Sequence, residues 1–223
     1  MLSDRLIDIL VKSFPKILLP GLKMTVPLTI IAFALAMVIA VVTAMVQFAD
    51  IKILKPLARF YIWVIRGTPL LVQLFVVFYG LPSVGILLDP FPSAVLVFAI
   101  NEGAYAAETI RAALESVPSG QIEAGYCVGM SWVQIMRRIV LPQALRTAFP
   151  TLFNELISMV KDTSLAANIT VMEMFMATQR IVAIYYEPLA LYIEVGFIYL
   201  MFSTVLTKLQ AFGEKRLAVY GKR

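Results

Sequence analysis

Long apolar runs, separated by short polar stretches, dominate this chain. A helix needs about 20 apolar residues to cross the hydrocarbon core of a bilayer, so runs of this kind indicate membrane spans. We predict about five of them, over residues 25–48, 61–81, 93–114, 147–160 and 188–209. Residues 165–184 are only semi-apolar, which indicates a shorter, re-entrant helix on the outer side. The pattern therefore predicts an all-α integral membrane protein.

The two ends of the chain have a different pattern. Residues 1–20 carry apolar side chains at helical spacing with charged ones between them, which predicts an interfacial helix lying on the membrane. Because proline lacks the N–H that a helix interior needs, we expect Pro15 and Pro20 to end this helix. Residues 213–223 are rich in basic side chains and are expected to form a cytosolic tail. Residues 21–212 then form the transmembrane domain.

Basic residues are distributed unevenly over the polar stretches. If residues 115–146 are cytosolic, the cytosolic side carries Lys52, Lys55, Arg59, Arg111, Arg137, Arg138, Arg146, Lys208, Lys215, Arg216, Lys222 and Arg223. The outer side then carries only Arg5, Lys12, Lys16, Lys23 and Arg180. Positive charge accumulates on the cytoplasmic side of membrane proteins, so we predict an outer N-terminus and a cytosolic C-terminus.

Composition narrows the chemistry that this chain can perform. Hydrophobic residues make up 61% of its 223 residues, so its net charge of +5 indicates a cytoplasmic membrane face rather than nucleic acid. The sequence contains no histidine, which removes histidine metal ligands, general bases and proton relays. It also has no Gly-rich phosphate loop followed by Lys-Ser/Thr. We therefore predict no catalytic residue, no metal site and no cofactor in the chain itself.

The polar stretch 115–146 predicts two short helices lying across the membrane plane. A bend between them is expected at Gly129, and Ser131 and Gln134 have the spacing of a capping box at the start of the second helix. This second helix is expected to run to Leu141, where Pro142 would stop it.

One face of the second loop helix carries Ile135 and Ile139. A helix that docks into the groove of a partner needs such a face, and so does an amphipathic connector that rests on lipid. The physical pattern alone leaves both interpretations open.

The order of residues in this loop resembles a known family. Glu123-Ala124, Gly129, Ile139 and Leu141-Pro142 match the EAA loop of ATP-binding cassette (ABC) importer permeases, with Gly125 in place of the second alanine of that motif. Similar segments, typical of the branch for polar amino acids, are Ala104-Tyr105-Ala106-Ala107-Glu108 with Arg111, Val117-Pro118-Ser119-Gly120-Gln121, Arg66-Gly67-Thr68-Pro69-Leu70-Leu71 with Gln73, and Lys161-Asp162-Thr163-Ser164-Leu165. Residues 78–92 look most like cystine importers, and the whole resemblance covers residues 21–212.

This resemblance implies the type I ABC importer permease architecture, with residues 115–146 as the cytosolic coupling-helix loop. In such permeases the loop docks in a cleft of an ATPase and passes ATP-driven closure to the membrane spans. The residues implied to form the docking surface are Glu123, Ala124, Gly129, Ile139 and Leu141, with Pro142 as a stop. Glu123 would meet a basic group of the ATPase, and Gly129 would allow close approach of the two backbones.

The resemblance also implies partners and a location. The partners are a cytosolic ABC ATPase dimer that binds ATP and Mg²⁺, a second permease copy or homologue, an extracytoplasmic amino-acid-binding protein and the lipid of the bacterial cytoplasmic (inner) membrane. The implied function is translocation of a polar amino acid, with L-cystine as the first substrate to test. The alternatives are an ion-coupled secondary transporter or channel, and a membrane scaffold that anchors an ATPase without transport.

Polar side chains at bilayer depth are costly and indicate function. For an amino acid zwitterion, the carboxylates of Glu102, Asp162 and Glu155 are expected to hold the ammonium group. Its carboxylate would be held by Arg66, or by a helix end beside the break that Gly67 and Pro69 introduce in the second span. The residues expected to orient the substrate through hydrogen bonds are Asn101, Thr68 and Ser164.

A structural interpretation of the same polar groups stays open. Lys161 can pair with Asp162 or Glu155, Asn101 can bridge helices, and Arg66 can anchor its span at the interface. The small residues Gly103-Ala104 and Ala106-Ala107 predict close helix packing in the third span.

Overall fold

The computed structural model describes residues 4–219, with side chains to residue 217, and every regular element in this part of the chain is helical. Residues 1–3 and 220–223 lie outside it, and with them the ends of the expected surface helix and tail. The α-helices are α1 (Asp4–Pro20), α2 (Val26–Phe48), α3 (Leu54–Arg66), α4 (Leu70–Phe75), α5 (Pro90–Glu115), α6 (Ser119–Cys127), α7 (Trp132–Ile135), α8 (Leu141–Asp162), α9 (Met174–Tyr185) and α10 (Pro188–Val219). Wide π-helical turns occupy Gly21–Thr25, Val76–Gly80 and Met136–Val140, and 3₁₀ turns occupy Leu81–Val84 and Thr163–Ile169.

The five expected spans each correspond to a helical segment of the described residues. Two of these segments, Asp4–Phe48 and Pro188–Leu217, are long and apolar enough to cross a membrane alone. The pair Leu54–Arg66 and Leu70–Val84 qualifies together as a broken span, which places a break at Gly67–Pro69 as predicted. Helices α5 and α8, with 26 and 22 residues, have the length but carry more polar side chains. Helix α10 continues to Val219, so residues 213–219 of the expected tail are helical.

Prolines do not interrupt the helices where the sequence suggested. Pro15 and Pro20 lie inside α1, and the helical residues continue from Asp4 to Phe48, so the expectation that they end the first helix is wrong. Pro142 likewise does not stop the second loop helix, because helical residues run from Trp132 to Asp162.

The wide turns give a physical reason for the outcome at Pro142. Each is followed by one residue and then a proline: Val26-Pro27, Leu81-Pro82 and Leu141-Pro142. In all three pairs the N–H of the first residue donates to the carbonyl five residues earlier, at Gly21, Val76 and Met136 respectively. Because the following proline has no N–H to donate, the wide turn shifts the hydrogen-bond register there while the chain stays helical.

The chain forms two compact units, and the first contains the described residues of Met1–Ala34, Pro69–Phe98 and Leu156–Thr207. One of its cores contains Leu28, Leu74, Phe98, Met159 and Ile169. A second core joins α1, α9 and α10 through Ile17, Met174, Leu191 and Ile198. The hydroxyl of Ser13 in α1 also donates to the carboxylate of Glu194 in α10, so the polar Glu194 serves helix packing.

The second unit contains the described residues of Leu35–Thr68, Ala99–Glu155 and Lys208–Arg223. Its largest core joins α5, α7, the wide turn at Met136–Val140 and α8 through Leu114, Ile135, Met136, Val140 and Ala144. The predicted close packing of small residues is confirmed, since Ala104, Ala106 and Ala107 are buried. A Cβ atom on Gly103 would lie only 2.9 Å from Cγ2 of Ile39, so a larger residue has no room there.

Candidate functional site

The loop between α5 and α8 folds onto itself through a close contact at one glycine. Gly125 in α6 is buried, and a Cβ atom there would lie 2.8 Å from Cγ1 of Ile135 and 3.4 Å from Cδ1 of Ile139. The absence of a side chain at this position therefore allows α6 to pack against the following helix. Gly125, which departs from the alanine of the family motif, fits this contact better than alanine would.

Local hydrogen bonds hold the start of α7 and the turn before it. The predicted capping box is confirmed: the N–H of Ser131 donates to Oε1 of Gln134 at 2.8 Å, and the N–H of Gln134 donates to Oγ of Ser131 at 3.4 Å. Gly129 has a φ of 78°, a left-handed conformation that ends α6 and that most L-residues disfavour. The bend at Gly129 is therefore a backbone requirement of this chain.

The structure divides the implied docking residues into exposed and inward-facing ones. Glu123, Ala124 and Gly129 are exposed. Ile135 is only 1% exposed and Ile139 is half-buried, so the apolar face that they share lies largely inside the loop. Ile139 therefore supports the position of the helix, and little of it is available to a partner.

Exposed apolar side chains of the loop lie elsewhere. Tyr126, Val128 and Val133 are 51%, 76% and 65% exposed and flank the turn at Gly129. We call Glu123, Ala124, Tyr126, Val128 and Val133 the coupling surface, after the role that the family resemblance implies for this loop. The exposure of the last three was not predicted, because helical spacing identifies a shared face without saying whether it points inward or outward.

Leu141 and Pro142 lie beside an apolar groove of the second unit rather than on the coupling surface. The groove has a volume of about 580 Å³, and its walls come from α2, α5 and α8. Leu141 is 45% exposed, and both residues belong to the first turn of α8.

Arg66 is predicted to contact the substrate, and in the structure its guanidinium lies beside two side chains of the second unit. Its guanidinium lies 3.9 Å from the carboxylate of Glu108 and 5.0 Å from the ring centroid of Tyr105. Glu108 also pairs with Arg111 at 2.9 Å, and Arg111 pairs with Glu115 at 2.6 Å. Arg66 is therefore one end of an ion-pair network of the second unit, in line with the structural interpretation of this residue.

The other predicted residues of the second unit lie just after α3 and on α5 and α8. The hydroxyl of Thr68 donates to the carbonyl of Val64 at 2.9 Å and so bonds to the last turn of α3. Asn101 is 8% exposed, and Glu102 next to it is half-buried. Oε1 of Glu155 accepts a hydrogen bond from Thr109 at 2.7 Å. Oε2 of Glu155 is buried without a hydrogen-bond partner among the described residues.

Asp162 and Ser164 belong to the first unit, at the end of α8 and in the 3₁₀ turn that follows it. Both are half-buried. Nearby in this unit is Glu173, a buried carboxylate that the sequence analysis did not select. It caps α9 by accepting hydrogen bonds from the N–H groups of Phe175 and Met176 at 2.8 and 2.7 Å.

The connection between α2 and α3, which lies outside the spans, contains an ion pair. Asp50 has a φ of 51° in this turn and pairs with the ammonium group of Lys55. The hydrogen bond and the positive charge of Lys55 lower the pKa of the Asp50 carboxyl below its ordinary value.

Comparison with known proteins assigns this helical membrane chain to the class of ABC transporter permease subunits: residues 36–219 match the family model described as "Binding-protein-dependent transport system inner membrane component". The chain belongs to this family of inner-membrane transport components, which are permeases rather than enzymes.

Individual relatives cover almost the whole chain. The L-cystine transport system permease protein TcyB of Bacillus subtilis is 46% identical over 214 residues, which are 96% of this chain and 92% of the relative. The nopaline transport system permease protein NocM of Agrobacterium fabrum is 38% identical over 93% of this chain and 90% of its own length. The crystal structure of an amino acid ABC transporter with histidines superposes with a TM-score of 0.86 at 35% identity, covering 92% of this chain and 96% of that one.

Proposed function

We propose that this chain is the permease subunit of an ATP-driven amino acid importer, with L-cystine as its substrate. The observation that carries the proposal is the 46% identity to an L-cystine permease over almost the full length of both chains. A nopaline permease is also similar, at 38% identity, so nopaline is the second candidate substrate. In either case the substrate is expected from an extracytoplasmic binding protein.

Coupling to the ATPase is proposed to use the coupling surface and the helix behind it. Glu123 offers a charge and Tyr126, Val128 and Val133 offer apolar contact, which is the combination that a docking helix needs. Helical residues then run unbroken from Trp132 to Asp162, about 45 Å at 1.5 Å per residue. Movement of the loop would therefore be carried along α8 to the end where Asp162 lies.

In the same proposal polar groups of each unit contact the substrate. In the second unit Glu102 and Glu155 attract its ammonium group, and Asn101 and Thr68 orient it; in the first unit Asp162 attracts the ammonium group and Ser164 orients it. The support is that Oε2 of Glu155 has no hydrogen-bond partner among the described residues, and that Asp162 is half-buried. Arg66 is no longer our choice for the substrate carboxylate, because Glu108 and Tyr105 already engage it.

The test is uptake by proteoliposomes that contain the permease with its ATPase, loaded with ATP and supplied with the binding protein. We expect uptake of radiolabelled cystine that stops when ATP is replaced by a non-hydrolysable analogue and that continues when ionophores dissipate ion gradients. Uptake that survives without ATP hydrolysis and requires an ion gradient would instead establish the secondary transporter. Cystine binding or uptake that is absent while another amino acid is imported would replace the substrate and retain the function.

A further inference from the structure

A groove in the first unit brings the ammonium group of Lys161 together with aromatic side chains. Its volume is about 430 Å³, and its lining residues are Lys161, Ser164, Phe175, Tyr192, Val195, Gly196 and Tyr199. The rings of Phe175 and Tyr192 stack with centroids 5.7 Å apart, which makes one flat wall. A space of this volume is sufficient for an amino acid.

Lys161 has no internal counter-ion in the part of the chain described here. Its side chain is exposed, and its ammonium group forms neither a hydrogen bond nor an ion pair with residues 4–217. No ion pair joins it to Asp162, the next residue. Lys161 lies in the last turn of α8, where the helix dipole favours a cation, and its ammonium group keeps donors available for an anion from outside the chain.

The buried carboxylate of Glu173 forms hydrogen bonds with two residues of the groove walls. Oε2 of Glu173 accepts hydrogen bonds from the hydroxyl of Tyr199 and the N–H of Phe175, both at 2.8 Å. Glu173 thus ties α10 to the start of α9 and fixes two of the aromatic residues. Gly196 leaves the floor open, because no described atom outside its own helix backbone and chain neighbours lies within 4 Å of a Cβ built there.

We propose that this groove is a substrate subsite in which Lys161 binds the carboxylate of the transported amino acid and the aromatic walls contact its side chain. The proposal rests on the proposed importer function and supplies the cation that Arg66 does not. Aromatic ring edges attract polarisable sulfur, and Lys161 repels cationic side chains, so the groove favours a neutral sulfur-containing side chain over a dibasic amino acid. Ser164 can add a hydrogen bond beside Lys161.

The experiment measures the Kd of radiolabelled cystine for the purified permease–ATPase complex in nanodiscs, without binding protein, alongside ATP-driven uptake. Loss of one charge-assisted hydrogen bond predicts that Lys161→Gln raises the Kd about 10-fold or more. Lys161→Arg should stay within about threefold of wild type, because it retains the charge. Gly196→Leu, which fills open space, should also raise the Kd, while Lys16→Gln, an exposed lysine on α1, should leave it unchanged.

Several outcomes would overturn the subsite and leave the importer function intact. One is wild-type uptake of cystine with an unchanged Kd in both Lys161→Gln and Gly196→Leu. Another is a Lys161→Gln variant with lower thermal stability but an unchanged Kd. That result would mean that the lysine only stabilises the end of its helix through the helix dipole. An effect that appears in phosphatidylglycerol nanodiscs and vanishes in pure phosphatidylcholine would assign the cation to an anionic lipid headgroup. Failure of the wild-type complex to import any amino acid would instead refute the proposed function.

Discussion

Replacing Gly129 tests whether the coupling loop depends on one backbone conformation. Its φ of 78° lies in the left-handed region, where an L-residue loses about 1–2 kcal/mol relative to glycine. A Cβ atom built on Gly129 meets no described atom within 4 Å outside its chain neighbours, so Gly129→Ala changes the backbone energy and no packing inside the chain. The substitution therefore measures the turn itself.

Gly120 offers a matched control in the same loop. It is exposed, has equally open space around its Cβ position and belongs to the first turn of α6 with an ordinary helical backbone. Gly120→Ala should be neutral, or stabilising by up to about 1 kcal/mol, because alanine favours a helix. Asparagine tolerates the left-handed region, so Gly129→Asn should fall between wild type and Gly129→Ala.

Amide hydrogen exchange at the turn measures how far Gly129→Ala destabilises it. The amides of Gly129 and Met130 donate to the carbonyls of Tyr126 and Gly125 at 2.9 and 3.0 Å, so opening of the turn exposes both. A destabilisation of about 1.4 kcal/mol makes that opening about tenfold more frequent, and exchange of these two amides should accelerate by the same factor. Uptake driven by ATP should fall in parallel. Equal exchange in Gly129→Ala, Gly120→Ala and wild type would refute the idea that the turn requires glycine.

Three further substitutions separate the loop, the wide turn and the buried carboxylate. Ile135→Ala should cost about 2–5 kcal/mol and lower the thermal transition of the permease, because Ile135 is 1% exposed; an unchanged transition would mean that the loop core is not packed. Pro142→Ala should reduce ATP-driven uptake while cystine binding persists, because alanine restores the N–H whose absence the wide turn accommodates and so removes the reason for that turn; normal uptake would show that the turn is passive. Glu173→Gln should destabilise the protein by about 1–3 kcal/mol, since an amide cannot accept all of its hydrogen bonds, and Tyr199→Phe should cost less; equal effects in thermal unfolding would contradict this ranking.

Features that depend on neighbouring residues were predictable from the sequence. The capping box of Ser131 and Gln134 needs only two side chains at fixed spacing, and it forms as expected. The break at Gly67–Pro69 follows from proline geometry together with the position of Gly67, where a Cβ atom would lie 2.7 Å from the carbonyl of Trp63. The resemblance of the EAA loop also led to the correct family, because it combines many weak local signals.

Features that depend on tertiary contacts were not predictable in this way. Helical spacing placed Ile135 and Ile139 on one face but could not show that this face covers Gly125. The sequence placed Arg66 near a predicted substrate site but could not show that its guanidinium lies 3.9 Å from the carboxylate of Glu108, 42 positions later. Glu173 lies in a semi-apolar stretch and gave no local signal, because its ligands are backbone N–H groups and a tyrosine from α10.

The prediction that Pro142 stops the second loop helix is wrong, and this changes the expected connection between the coupling loop and the membrane span. A helix that stopped at Pro142 would make the coupling loop a separate lever, joined to the membrane span by a flexible connection. The wide turn at Met136–Val140 instead absorbs the missing hydrogen bond and keeps α7 and α8 in one helical run. This continuity is what the proposed coupling requires, because no non-helical connection separates the loop from α8. On this view the wide turn preserves the connection that the proline would otherwise break, and the residues most sensitive to uncoupling are those that hold the wide turn.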